Sequence, residues 1–273
     1  MYPFLALFLA SSFLCASCAG HTNILQKPLV PARDRQIGEL SDFSFEEVYD
    51  SGYWVTRPRG GAMTILGIAG RRGTREEAVR EALSDAARKA ALYHGVYGES
   101  AAVLNQGSGN LDYFSDFDYR LDLLTDSEGY IGELIFDKDK DILEKEGSVM
   151  VRVQYSGIFD IPAYETGLED GIPGWVNNYT ASVPGFLAAV GYSKNRGSLQ
   201  KTCQASYENA IVSLLPRLSS KVANEVLDAA GGKITRNVAA NSGVLENVMI
   251  LETWFDRKAN ALWTLVAARE KTP

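Results

Sequence analysis

Cysteine and histidine are scarce in this chain of 273 residues, which contains three cysteines and two histidines. So few thiols and imidazoles exclude a disulfide scaffold and argue against a zinc finger or histidine-based catalysis. No serine or cysteine lies in a recognisable nucleophile motif. We therefore expect a protein that is not an enzyme and that has no cofactor and no bound metal.

Basic residues are also in deficit. The chain carries 27 lysines and arginines against 34 acidic residues, a formal charge of -7 with a pI near 5.0. This balance argues against a nucleic-acid partner, because binding to phosphates requires a basic surface. The 46% hydrophobic and 22% charged residues are ordinary for globular proteins, and the length suits about two domains.

The N-terminus contains an uncharged apolar run from Pro3 to Leu14, followed by Ala16-Ser17-Cys18. The run is too short to span a bilayer, which needs ~20 residues, but it suits the core of a secretory signal. A cysteine after small residues resembles a bacterial lipoprotein processing site. We therefore predict a signal peptide at residues 1–17, lipidation of Cys18, and a tether and lead-in at residues 18–51. The alternative is an ordinary secreted protein cleaved near Ala16.

An internal repeat organises the rest of the chain. Residues 67–74, GIAGRRGT, align with residues 191–198, GYSKNRGS, at an offset of 124. Two further landmarks occur in the same order: Trp54-Val55 with Trp175-Val176, and Glu133–Asp137 with Glu252–Asp256. These landmarks predict two copies of one domain, at residues 52–160 and 173–270, joined by a linker at residues 161–172.

Each copy has the pattern of a strand, a helix and a closing β-hairpin. Thr74 and Glu77 form a predicted capping box at the start of the first helix. The second helix is predicted over residues 198–229, with a kink or interruption at Pro216. The predicted hairpins pair Tyr130–Phe136 with Ser148–Tyr155, and Val248–Phe255 with Ala261–Ala267. The expected fold class is α+β, with each helix packed on an antiparallel sheet.

The segment 107–128 is rich in acidic and aromatic residues and is interpreted as a loop between helix and hairpin. Aromatic residues are enriched in the cores of interfaces, so this loop is a candidate partner-binding site. Its candidate contact residues are Tyr113, Phe114, Phe117 and Tyr119. In the alternative interpretation, the aromatic residues only cover the sheet.

The turn before the first helix is a second candidate site. Gly70, Arg71, Arg72 and Gly73 precede a helix N-terminus, where free amides favour anions. The alternative is a glycine turn that only reverses the chain, and Lys194 replaces Gly70 in the second copy. The alternating Asp137, Asp139 and Asp141 lack the glycine and glutamate of a calcium loop and are read as a solvated hairpin tip.

These features together resemble a known family. A Trp-Val near a proline, a strand ending in glycine before a capped helix, and a closing hairpin are similar to the LPP-twenty type of bacterial outer-membrane lipoprotein. The matching residues are Pro173-Gly174-Trp175-Val176, Gly191, the 198–229 helix and Glu252–Ala267, and more loosely Trp54-Val55, Gly67 and Glu133–Val153. The resemblance implies a non-enzymatic envelope lipoprotein without catalytic residues, anchored by lipid to a membrane, with the outer membrane favoured and the domains in the periplasm or on the surface.

The expected function is a structural or assembly role, such as scaffolding an outer-membrane or flagellar-type machine. The alternative is a ligand- or peptide-binding module that uses the 107–128 loop or the glycine turns. Residues 52–160 hold 13 basic and 18 acidic residues, a net charge of -5, whereas residues 173–273 hold 11 and 7, a net charge of +4. Unlike charges favour self-association between halves, alongside other protein partners.

Overall fold

The computed structural model describes residues 44–56, 58, 61–71, 73–107, 112–160, 167–177, 183–218, 220–229 and 232–271. For residues 102–107, 112–117, 220–229 and 232–238, only the backbone is described. The predicted signal peptide, Cys18, Arg72 and most of the predicted tether lie outside these residues. Residues 36–273 form one compact unit, which contains both predicted copies.

The chain contains both helices and strands. The helices are α1 Phe45–Ser51, α2 Arg75–His94, α3 Gly174–Asn177 and α4 Leu199–Leu218, with a 3-10 helix at Glu128–Glu133. The strands are β1 Tyr53–Val55, β2 Ala62–Gly70, β3 Val96–Gly107, β4 Asp112–Leu123, β5 Leu134–Ile135, β6 Ile142–Lys145, β7 Ser148–Ser156, β8 Leu168–Glu169, β9 Ile172–Pro173, β10 Leu187–Lys194, β11 Ser220–Ala229, β12 Gly232–Asp256 and β13 Ala261–Glu270.

The strands form antiparallel sheets. The larger sheet has the order β10-β13-β12-β3-β4, and β1 and β11 also pair with β12. The second sheet has the order β2-β7-β5, with β6 also on β7, and β8 pairs with β9. The predicted class, mixed α+β with antiparallel sheets, is therefore confirmed.

The long strand β12 connects the two predicted copies. Its second part pairs with β13 and β1, whereas its first part, residues 232–245, pairs with β3 and β11. The main core cluster also draws on both copies, with Ile65, Ala86 and Val151 from the first and Met249 and Leu265 from the second. The two copies thus share a sheet and a core.

Each long helix lies close to a strand at a glycine. A Cβ atom added to Gly67 on β2 would lie 2.0 Å from the carbonyl oxygen of Ala82 on α2. A Cβ atom added to Gly191 on β10 would lie 1.9 Å from the carbonyl oxygen of Ser206 on α4. Only glycine allows this approach, because any Cβ would overlap the backbone of the helix.

The start of α2 has the predicted capping box. The Thr74 hydroxyl accepts a hydrogen bond from the Glu77 amide at 3.2 Å, and the Glu77 carboxylate accepts one from the Thr74 amide at 2.9 Å. At the start of α4, the Ser198 hydroxyl accepts from the Lys201 amide at 3.2 Å. Both helices therefore begin with a hydroxyl that satisfies an end amide.

The predicted second helix is too long. The helix ends at Leu218, with Pro216 in its last turn, and residues 220–229 form β11. Pro216 does not break the helix in its middle, because a proline near the C-terminus removes only one of the last backbone donors. The apolar spacing that continues past residue 218 belongs to strand β11.

The predicted loop 107–128 is also wrong. Most of it belongs to strand β4, which pairs with β3 along 11 residue pairs and has one register shift between Val103 and Leu104. Acidic and aromatic residues alternate in DYFSDFDYRLDL, and this period of two is typical of a strand. The acidic content had concealed the periodicity.

The first closing hairpin differs from its prediction. Residues 128–133 form a 3-10 helix that packs on α2, and only Leu134–Ile135 pair with β7. The partner of β7 within the hairpin is instead β6, which lies inside the segment that was read as a charged turn. Glu146 and Gly147 have φ of 51° and 74°, as a tight two-residue hairpin turn requires.

Two of the three landmarks of the repeat occupy unlike structures. Trp54 lies on strand β1, whereas Trp175 lies in the short helix α3. Glu133 ends a 3-10 helix, whereas Glu252 lies within β12. The remaining landmark, residues 67–74 with 191–198, joins a strand to a helix in both places.

The close approach of helix and strand at Gly67 and Gly191 leads to a prediction about stability. We expect Gly67→Ala and Gly191→Ala each to lower the free energy of unfolding by about 1–3 kcal/mol or more, because the helix must shift away from the strand. Gly70→Ala is the matched control, since a Cβ there meets no atom of the described residues within 4 Å. Urea denaturation measures the free energy of unfolding of all three variants. Equal values for Gly67→Ala and Gly70→Ala would contradict the prediction.

Candidate functional site

Two hairpins form a four-stranded region, which we call the outer sheet, with the order β4-β3-β12-β11. It consists of β4, β3, β11 and residues 232–245 of β12. β4 packs mainly on β3, and β11 mainly on β12. The predicted partner-binding residues Tyr113, Phe114, Phe117 and Tyr119 all lie on β4, and only the side chain of Tyr119 is among those described.

The base of the outer sheet is fixed by α4. A Cβ atom added to Gly98 on β3 or to Gly243 on β12 would lie 2.6 Å from the side chain of Leu215 or Leu218. Beside them, the Tyr119 hydroxyl donates to the Glu208 carboxylate at 3.0 Å. Arg88 of α2 donates to the same carboxylate at 3.0 Å. Tyr119 therefore anchors β4 to the helices.

The outer sheet has two open edges. Among the described residues, no strand pairs with the outer side of β4 or of β11. These strands have 12 and 10 residues, and each presents a row of backbone amide and carbonyl groups. An open edge of this length is a template for pairing with another strand. The predicted partner-binding segment is thus an edge strand of the outer sheet rather than a loop.

The glycine turn engages its polar groups within the chain. The Gly70 amide donates to the side chain of Gln200 at 3.3 Å, and the Arg71 amide donates to the carbonyl of Gly147 at 2.8 Å. The guanidinium of Arg71 lies 3.8 Å from the Glu144 carboxylate. Gly73 has φ of 71° and leads into the capping box of α2. This arrangement favours the structural interpretation of the turn, and Arg72 is outside the described residues.

A buried ion pair, which the sequence analysis missed, lies under α2. The Lys89 ammonium donates to the Asp85 carboxylate and to the Leu66 carbonyl, both at 2.6 Å, and the Ile68 amide donates to Asp85 at 2.8 Å. Burial lowers the pKa of Lys89, but the charge of Asp85, the influence of Cys203 and the hydrogen bond to Asp85 together raise the pKa above its ordinary value. The pair thus joins α2 to β2 through charge-assisted hydrogen bonds.

Cys203 and Tyr207 of α4 lie near this pair. Burial raises the pKa of the Cys203 thiol, against the opposing effect of Lys89. Cys203 is thus a buried neutral thiol. The Tyr207 hydroxyl is buried and has no hydrogen-bond partner within the part of the chain that the structure describes, and burial raises the pKa of Tyr207 well above its ordinary value.

A small cavity of about 30 Å³ adjoins the pair and is lined by Trp54, Thr56, Lys89 and Cys203 among others. Small-molecule pockets are typically ~300–1,000 Å³, so this cavity suits a water molecule rather than a ligand.

A second buried carboxylate belongs to Glu252 on β12, whose side chain is fully buried. The indole Nε1 of Trp175 donates to it at 2.6 Å, and the hydroxyl of Tyr53 also donates to it. Glu252 therefore ties β1 and α3 to the long strand. A buried carboxylate held by aromatic donors is a structural device of the core, because its donors come from the segments that it joins.

His94 ends α2 in an aromatic group. Its Nε2 lies 2.7 Å from the Tyr155 hydroxyl, and its ring stacks on Tyr130 with centroids 4.9 Å apart. Burial, followed by the charge of Glu133, raises the pKa of Tyr155 to about 12. These contacts give His94 a structural role at the end of α2.

The aspartates 137, 139 and 141 form a turn, in which the carboxylates of Asp137 and Asp141 accept hydrogen bonds from backbone amides of the turn. Asp141 accepts from the amide of Asp137 at 2.8 Å and pairs with Arg152 at 2.6 Å. Among the described residues, no group of three or more acidic, histidine or cysteine side chains is arranged to hold a metal ion. Nor does any helix within the described ranges have the length and apolar character needed to cross a membrane.

The ion pair under α2 leads to one prediction. We expect Asp85→Ala to lower the free energy of unfolding by about 3–5 kcal/mol, because the buried Lys89 charge then lacks its negatively charged partner and keeps only the Leu66 carbonyl. Adding Lys89→Met to this variant should restore part of the loss. The exposed pair Arg120–Asp122 is the control, and Asp122→Ala should cost less than about 1 kcal/mol. Thermal unfolding measures the set, and a double variant no more stable than Asp85→Ala would contradict the prediction.

The different surroundings of Tyr119 and Tyr207 lead to a further prediction about stability. Tyr207→Phe removes a buried hydroxyl that no other described residue hydrogen-bonds, and it should leave stability unchanged or raise it by up to about 1 kcal/mol. Tyr119→Phe removes the donor to Glu208 and should lower stability by about 0.5–1.5 kcal/mol. Chemical denaturation of both variants is the measurement. A loss of stability in Tyr207→Phe as large as that in Tyr119→Phe would show that its hydroxyl is hydrogen-bonded.

Comparison of the chain with protein-family models, with curated proteins and with solved structures finds no significant match.

Proposed function

We propose that this chain is a non-enzymatic bacterial envelope protein, anchored to a membrane by lipid on Cys18, with a structural role in assembly. The observation that carries the proposal is the outer sheet, whose edges β4 and β11 are open in the described chain. Pairing to such an edge supplies backbone hydrogen bonds without any catalytic group. The resemblance to LPP-twenty lipoproteins suggests the same role and favours the outer membrane.

We further propose that the two halves are copies of one unit, although they are not separate compact bodies. The helices α2, Arg75–His94, and α4, Leu199–Leu218, begin and end 124 residues apart. The same offset relates the starts of β3 and β11, at Val96 and Ser220, and also Gly67 to Gly191.

The final strands support this duplication at a shorter offset, 253 − 142 = 111 residues. Strand β6 pairs with β7 as the end of β12 pairs with β13, so that Ile142–Lys145 correspond to Thr253–Asp256. The correspondence replaces the predicted match of Glu133 with Glu252. Between the hairpin and this last pair, the first half inserts the 3-10 helix, whereas the second half continues as one strand.

The alternative, a peptide-binding module, draws on the same open edges. An extended peptide can add to an edge strand by backbone pairing. The glycine turn gives less support to a ligand site, because its amides and Arg71 are engaged by Gln200, Gly147 and Glu144.

The anchor is tested by substitution of each cysteine in turn. Cys18→Ala should remove labelled palmitate from the chain and release it from the membrane fraction, because no other site for the lipid is predicted. Cys15→Ala and Cys203→Ala are matched controls, since one lies in the predicted signal peptide and the other is buried. Labelling and membrane retention that persist in Cys18→Ala would refute the anchor.

A further inference from the structure

We infer that copies of this chain join edge to edge, with β11 of one copy pairing antiparallel with β4 of the next. The inference rests on the proposed assembly role and deepens it, because it names the partner as a second copy and gives the register. It follows from a contact that the chain already makes between its own two hairpins.

The two hairpins of the outer sheet are equivalent. The residues of β3 and β11 correspond 124 positions apart, as shown by the starts of these strands at Val96 and Ser220. Ser100 on β3 pairs with Tyr119 on β4, and its equivalent Asn224 on β11 pairs with Asn237 on β12. Tyr119 therefore corresponds to Asn237, and β4 corresponds to the first part of β12.

In the order β4-β3-β12-β11, the first hairpin is β4 with β3 and the second is β12 with β11. Equivalent strands follow in the same order in both hairpins. The junction between them is the pairing of β3 with β12, which extends over 12 residue pairs from Val96 to Gly107. The two open edges, β11 and β4, are the equivalents of β3 and β12. Each chain thus leaves open the two edges that its own hairpins use to pair with each other.

This repetition also fixes the orientation of the next copy. Strands β4 and β12 both run antiparallel to β3, so they are parallel to each other. A second chain that repeats the junction therefore has the orientation of the first. Chains attached to one membrane surface can keep this arrangement, whereas a symmetric β4-to-β4 contact would turn one of them around.

The register follows from the internal junction. Val103 on β3 pairs with Val238 on β12. Their equivalents on the open edges are Leu227 on β11 and Arg120 on β4. Leu227 of one copy is therefore expected opposite Arg120 of the next. Successive copies in one orientation give a ring if the rotation closes and a filament if it does not.

Site-specific cross-linking in the full-length chain tests this contact. The double variant Arg120→Cys/Leu227→Cys, treated with a bismaleimide of about 8 Å, should give a ladder of dimers, trimers and larger species. Each single variant should give no more cross-linked product than the unmodified chain, because one of the two facing strands, β4 or β11, then has no cysteine. The reagent tolerates a shift of one or two residues, since a strand rises ~3.3 Å per residue.

The matched control changes only the register. Arg120→Cys/Lys221→Cys places the second thiol six residues away on the same strand, about 20 Å along it, and should cross-link far less. A dimer in Arg120→Cys alone, with no ladder in the double variant, would show β4-to-β4 pairing and overturn the inference. An equal ladder in both double variants would overturn the register.

Sedimentation of the unmodified chain in detergent gives a second measurement that does not depend on new cysteines. Species larger than a monomer are expected, and a monomer at every concentration would overturn the inference. Occupation of β4 or β11 by the chain's own N-terminal segment, or by another protein, gives no ladder. If Cys18 still determines membrane retention in that case, the inference fails and the proposed anchor stands. If Cys18→Ala leaves retention unchanged while the ladder forms, the anchor fails and the contact between copies stands.

Discussion

The contact on which the rest of the fold depends is the approach of each long helix to the backbone of a strand at a glycine. The carbonyls of Ala82 and Ser206 occupy the space where Gly67 and Gly191 would have a side chain. Small residues at the contact let the helix come this close, and close packing then fixes the helix along the strand. Because α2 and α4 lead directly into β3 and β11, this contact also sets where the two outer hairpins begin.

Polar groups lie beside the helix–strand contact under both helices. The groups are charged under α2 and neutral under α4. Lys89 and Asp85 bind the carbonyl of Leu66 and the amide of Ile68, on either side of Gly67. Under α4, the neutral pair of Ser206 and Thr264 hydroxyls, 2.7 Å apart, lies near Gly191. A buried ion pair adds specificity of position more than net stability, because the cost of desolvating two charges offsets much of their attraction.

The sequence predicted local features well and long-range pairing poorly. The capping box at Thr74, the α+β class and the hairpin that ends in β13 follow from local periodicity and turn chemistry. The end of α4 and the strand β4 were misread, because an apolar spacing can continue from helix to strand and acidic residues can alternate with aromatic ones. The ion pair could have been found, since Asp85 and Lys89 fall at i and i+4 on the alanine-rich face of α2. The pairing of β3 with β12 has no local signal, because its partners lie more than 100 residues apart.

The long strand β12 explains why the outer sheet depends on its neighbours. Its 25 residues have a contour length of roughly 80 Å, and its second part is fixed in the core by β13, β1 and the buried Glu252. Its first part extends into the outer sheet, where Gly98 and Gly243 lie against Leu215 and Leu218 of α4. An isolated two-stranded hairpin is only marginally stable in water, so the pairing of β3 with β12 stabilises both hairpins. By the same reasoning, the inferred pairing of β11 with β4 of another copy would add backbone hydrogen bonds to this sheet.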